Sequence, residues 1–151
     1  MDSSKQSIRE EWRKLGFFYE INESEYKWRF VGSKQGLLKF YNLLLTYAAN
    51  PINNEMSEHE HYGPYMYLEI MTWDKPGIDN HAIYGSIKNI QQLASLFKAK
   101  VESAKEGEVL SIGKEYAPES KYSIVIEIQE HNFDPASVDS QLREKGGLPL
   151  T

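Results

Sequence analysis

Four consecutive residues, Glu58-His59-Glu60-His61, carry the densest potential chemistry in the chain. In an extended segment residues two apart point the same way, so His59 and His61 can grip one ion. Imidazole and carboxylate suit zinc, iron or nickel. His81 or Glu58 is the candidate third ligand, and His-x-His holds a metal only with such a ligand in place. The same residues equally fit a polar, mobile loop with incidental histidines. The second histidine follows too closely for His-Glu-x-x-His, so zincin chemistry gains no support. A histidine oriented by a glutamate can act as a general base, but no nucleophile accompanies it. The chain has no cysteine and no Gly-x-Ser-x-Gly, and Ser57, Ser86 and Ser111 lie in capping or loop contexts. No catalytic residue and no cofactor is expected, and no metal beyond the candidate ligands His59, His61 and His81.

A second cluster follows directly, Tyr62-Gly-Pro-Tyr65-Met-Tyr67, with Trp73 just beyond. Tyr65 and Tyr67 alternate with Met66, Leu68 and Ile70, which places the two rings on the strand face away from the apolar residues. Tyrosine and tryptophan dominate interface hot spots. The expected partner-binding set is therefore Glu58, His59, Glu60, His61, Tyr62, Tyr65, Tyr67 and Trp73. The competing expectation is that another layer, such as an N-terminal helix, covers these rings. Gly32-Ser-Lys-Gln-Gly36 stands before a helix, where phosphates can bind. It lacks the Gly-Lys-Ser/Thr ending of a P-loop, and an N-cap followed by a permissive glycine accounts for it.

The elements that must position these residues follow from periodicity. Ile8, Trp12 and Leu15 give a short helix over 7–15, with Gly16 at its C-cap. Residues 17–21 and 26–31 alternate and are joined by the polar turn Asn22-Glu23-Ser24-Glu25, a hairpin. Ser33 caps a helix whose stripe runs Leu37, Leu38, Phe40, Tyr41, Leu44, Leu45, Ala48, and Asn50-Pro51 stops it. Residues 52–64 show no period and read as a long loop. A strand spans 65–73, with Met66, Leu68 and Ile70 on its core face, and 82–84 is a short strand. Ser86 caps a second helix to Ala104, with Ile90, Leu93, Ala94, Phe97 and Val101 on one side. Strands at 109–112 and 122–128 make a second hairpin. Asp134-Pro135 opens a C-terminal helix or tail over about 132–151, with Gly146-Gly147 as its stop. No internal repeat is visible. The expected fold is α+β, a mainly antiparallel sheet with two principal helices packed on one face, in a single domain over 1–151.

Composition narrows the function. The 151 residues include 22 acidic and 17 basic side chains, a formal charge of -5, and no basic cluster of the kind that binds phosphate backbones. Direct binding of nucleic acid is not expected. The absence of cysteine removes disulfide scaffolds, thiol catalysis and iron–sulfur clusters. The start, MDSSKQSIREEW, has no apolar targeting stretch, and no run approaches the roughly 18 apolar residues of a membrane span. A cytoplasmic protein without a membrane partner is expected. Aromatic residues are abundant at 13% for a mean hydropathy of -0.58. They either build a core or mark a binding surface.

The run Val31-Gly-Ser-Lys-Gln-Gly-Leu-Leu-Lys-Phe-Tyr-Asn-Leu-Leu-Leu, followed by Glu58-His-Glu-His61 and a strand, resembles the small immunity proteins of bacterial polymorphic toxin systems. The similarity covers about residues 27–97, and Gly32, Gly36, His59 and His61 match its pattern. The resemblance implies an α+β domain that binds and neutralises a cognate toxin, commonly a nuclease, without catalysis of its own. Two other expectations stand beside it: a metal-dependent enzyme built on His59 and His61, and a regulatory domain that forms a homodimer through its aromatic face. The resemblance leaves monomer and homodimer both open.

Overall fold

In the computed structural model, which describes residues 3–142, both principal helices start at a Gly-Ser step. Gly32-Ser33 ends one strand, and the Ser33 hydroxyl accepts from the Gly36 N–H at the head of a helix over Lys34–Ala49. Gly85-Ser86 ends another strand, and Ser86 forms a reciprocal capping box with Asn89 at the head of a helix over Ile87–Ser103. The match extends from Phe18 to Gln129. In order the elements are α1 (Ser3–Leu15), β1 (Phe18–Asn22), β2 (Lys27–Ser33), α2 (Lys34–Ala49), β3 (His59–Tyr62), β4 (Leu68–Thr72), β5 (Gly77–Ile78), β6 (Ala82–Gly85), α3 (Ile87–Ser103), β7 (Val109–Ile112) and β8 (Ser123–Gln129). After α1 this is strand-strand-helix-strand-strand, written twice.

The two units exchange hairpins. Sheet A has the order β1-β2-β8-β7 and sheet B the order β5-β6-β4-β3. Each sheet joins the first hairpin of one unit to the second hairpin of the other. The pairings repeat as well: antiparallel within each hairpin, parallel at β2/β8 and at β4/β6. The fold is thus α+β and mainly antiparallel, as the alternation predicts, but built from two sheets rather than one. The internal repeat, unseen in the sequence, is hidden because equivalent positions share only their chemical class. Leu37, Phe40, Leu44 and Ala48 of α2 take the places of Ile90, Leu93, Phe97 and Val101 of α3, all buried. Leu68 and Ile70 of β4 take those of Ile124 and Ile126 of β8.

One continuous apolar core joins both sheets to the helix pair. At its centre Phe40 packs on Phe30 with ring centroids 4.8 Å apart and on Phe97 at 4.9 Å. Edge and tilted contacts of this kind suit the ring quadrupoles. Tyr47 ties α2 to sheet B through a 2.7 Å hydrogen bond with Thr72 and by donating to the Glu58 carbonyl. Gly36 has a packing role: a Cβ there would collide with the Gly16 carbonyl, where the chain passes from α1 to β1. That contact explains Gly32-x-x-x-Gly36 without a phosphate.

Three sequence expectations change. The aperiodic stretch 52–64 is ordered: a 3-10 turn at Pro51–Asn54 leads into β3, an edge strand of sheet B. Met66 is not a core residue. It sits at positive φ in the turn before β4 and is 55% exposed. The expected C-terminal helix opens at Asp134 and Pro135, but among the described residues it gives 3-10 turns over Pro135–Val138 and Ser140–Leu142. Its Gly146-Gly147 stop lies outside the described residues.

Candidate functional site: the outer face of sheet B

β3 and β4 form an antiparallel pair in which His59 faces Met71 and His61 faces Glu69. Met71 in turn lies beside Tyr84 of β6. Strand alternation puts these side chains on the face turned away from the helices, since Leu68, Ile70, Thr72 and Ile83 on the other face are buried. Tyr67 precedes β4 and Trp73 follows it, in the same alternation as Glu69 and Met71. They are 55% and 37% exposed. The result is a strip of Tyr67, Glu69, Met71 and Trp73, flanked by two exposed imidazoles on an edge strand.

The turn that carries Tyr67 is clamped from sheet A. The Tyr19 hydroxyl donates to the Tyr62 carbonyl and accepts from the Leu68 N–H at 3.2 Å. Burial pushes this phenol up to about 12, so it stays protonated and keeps donating. Gly63, at φ 90, passes so close to the ring that any Cβ would strike it. Tyr65 is drawn inward. Its hydroxyl donates to Asp139 at 2.6 Å, and the buried Trp12 indole donates to the same carboxylate oxygen at 2.7 Å. The Tyr65 ring still stacks on Tyr67, with centroids 5.4 Å apart. Tyr67 is therefore held in place by a partly buried neighbour.

The expected partner-binding residues separate accordingly. His59, His61, Tyr67 and Trp73 share the outer face of sheet B. Glu60 and Tyr62 alternate to the opposite side of β3. There Glu60 accepts from the Asn53 amide at 2.8 Å and from the Tyr62 hydroxyl at 3.3 Å. Burial and the neighbouring Glu60 charge raise the Tyr62 phenol. Glu58 lends its carbonyl to Tyr47 and to the Thr72 N–H. Tyr65 belongs to the α1 seam, so the N-terminal layer covers one of the two rings but not the other.

The candidate metal ligands are also re-sorted. His59, His61 and Glu69 each offer a ligand atom, all within 4.8 Å of one another. His81 lies in the turn before β6, with its backbone N–H on Asp79 at 2.8 Å, and is not part of this group. Alternation in the sequence puts Glu69 and Met71 on the same strand face as Tyr67 but does not bring them to the histidines. Their place beside the histidines depends on the β3–β4 register, which is set only once 59–62 is recognised as a strand.

No known relative emerges. Comparison with protein-family models, with curated proteins and with solved structures finds no match. The function must be read from the chemistry of the surface itself. Among the described residues no helix is long and apolar enough to cross a membrane.

Proposed function

We propose that the chain is a non-catalytic protein-binding domain, an immunity protein that neutralises a cognate bacterial toxin, and that it docks through the outer face of sheet B. The observation that carries this reading is the strip of exposed Tyr67 and Trp73 with half-buried Met71 between them, beside an edge strand. Rigid rings and a polarizable thioether supply contact area at low entropic cost. Among the described residues β3 is the edge of sheet B, with one row of backbone groups facing no other strand, a second mode of protein recognition. The resemblance of 27–97 to small immunity proteins supplies the kind of partner. A charge of -5 suits a toxin with a basic, phosphate-binding site such as a nuclease, because opposite potentials speed docking.

The test is protection. If a neighbouring gene encodes a toxic domain, co-expression of this chain with it should rescue growth, and the purified proteins should form a one-to-one complex. Tyr67→Ala combined with Trp73→Ala should abolish rescue while the variant stays folded. Rescue that persists in this variant removes the face from the interface. Failure of the unmodified chain to bind or rescue ends the immunity reading.

A further inference from the structure

We propose that His59, His61 and Glu69 form a surface site for one divalent transition-metal ion of the zinc class, independent of any protein partner. Two imidazoles and one carboxylate are a donor set that zinc accepts, and three protein ligands leave a fourth position for water or an incoming side chain. The three ligand atoms lie within 4.8 Å of one another, and His61 Nε2 stands 3.6 Å from Glu69 Oε1. A tetrahedral ion with bonds of about 2.0–2.1 Å needs its ligands roughly 3.3 Å apart. Small rotations of the two exposed imidazoles and the half-buried Glu69 carboxylate on the two-strand platform close that gap.

The second observation is how the rings are oriented. His59 Nδ1 lies 3.1 Å from the Ser57 carbonyl, and His61 Nδ1 lies 3.1 Å from the Met66 carbonyl. A carbonyl only accepts, so each contact places the proton on Nδ1 and leaves the Nε2 lone pair free. Backbone carbonyls fix the tautomer of metal-binding histidines in this way. It also creates a conflict. In the neutral tautomer the His61 Nε2 lone pair faces the Glu69 carboxylate, acceptor against acceptor, and either a second ring proton or a metal cation between them resolves it.

The repeat supplies an internal control. By strand register, the positions of His59, His61, Glu69 and Met71 in sheet B correspond to Val109, Ser111, Val125 and Glu127 in sheet A. The scaffold itself does not call for imidazole there. The ligand set is peculiar to one sheet.

The test uses protein free of any histidine tag and stripped with chelator. Titration calorimetry with zinc chloride should give saturable binding of one ion per chain, and the melting temperature should rise with zinc, because an ion that binds the folded state stabilises it. His61→Ala and His59→Ala should lose the saturable binding. Glu69→Gln should weaken it by at least the roughly 10- to 100-fold that loss of an outer-shell partner costs. His81→Ala should bind as the unmodified chain does. Cobalt bound to the unmodified protein should show the intense visible bands of a tetrahedral ion, a readout that needs no variant. Absence of saturable one-to-one binding overturns the proposal, as does binding undiminished in His61→Ala or lost in His81→Ala.

Discussion

Sheets A and B are built to one plan and finished differently. Both bury an inner face against the helix pair, with equivalent apolar positions on equivalent strands. On the outer face of sheet A, Arg29 satisfies its own neighbourhood: its Nε reaches Glu127 Oε2 at 2.6 Å and its Nη1 reaches Glu20 Oε2 at 2.6 Å. On the outer face of sheet B the corresponding strip carries His59, His61, Glu69 and Met71, with Tyr67 and Trp73 at its ends. The connecting turns differ too. Between β7 and β8, Glu115 accepts from the Gly113 N–H at 2.8 Å and pairs with Lys100 at 2.9 Å. Between β3 and β4 the turn instead presents Met66 and Tyr67. A duplicated scaffold can thus keep one face for stability and free the other for recognition.

The comparison can be broken at its inner faces first. Ile70→Ala and Ile126→Ala are equivalent truncations of fully buried side chains, and each should cost about 3 kcal/mol of stability. Denaturant unfolding would measure both, and a large inequality would show that the sheets do not share the core as equals. The next largest effects separate the outer faces. Tyr67→Ala and Trp73→Ala should each cost about 2 kcal/mol of partner binding with little change in stability. Calorimetry with the partner, set beside unfolding curves, reads both quantities. Arg29→Ala should do the reverse, losing about 1 kcal/mol of stability in a salt-dependent way and leaving binding intact.

The smallest effect concerns the turns. The Gly113 N–H, followed by Lys100, holds the Glu115 carboxyl at about 2 against an ordinary 4.5. Its folded value is depressed, so its contribution is present above the ordinary value and is lost as the pH falls toward 2. Glu115→Gln should remove that small contribution at neutral pH and flatten the acid limb between those limits, so that variant and unmodified chain converge as the pH falls toward 2. A pH series of melting temperatures checks this.

Much of the architecture was legible in the sequence because local signals agreed with the final fold. The stripes of α2 and α3, their serine caps and the alternation of β1, β2 and β8 all point to the observed elements. The second sheet was not legible. β3 is only His59–Tyr62, four polar or aromatic residues without apolar alternation, and it is a strand because β4 offers it a pairing edge. Glu60 looked like a free acid until Asn53, from an unanticipated 3-10 turn, was placed beside it. The repeat escaped notice because burial preserves volume and polarity rather than identity: Phe40 faces the same core as Leu93. Tyr65 and Tyr67 alternate identically in sequence, and only Asp139, far along the chain, decides which one is withdrawn.

In the proposed mode of docking, recognition belongs to sheet B alone. Hydrogen–deuterium exchange of the chain, free and bound to the toxin proposed as its partner, tests this most directly. Exchange should slow in β3, in β4 and in the turn that joins them, with β1 and β7 of sheet A unchanged. Protection confined to sheet A, with 59–73 exchanging as in the free protein, would contradict it.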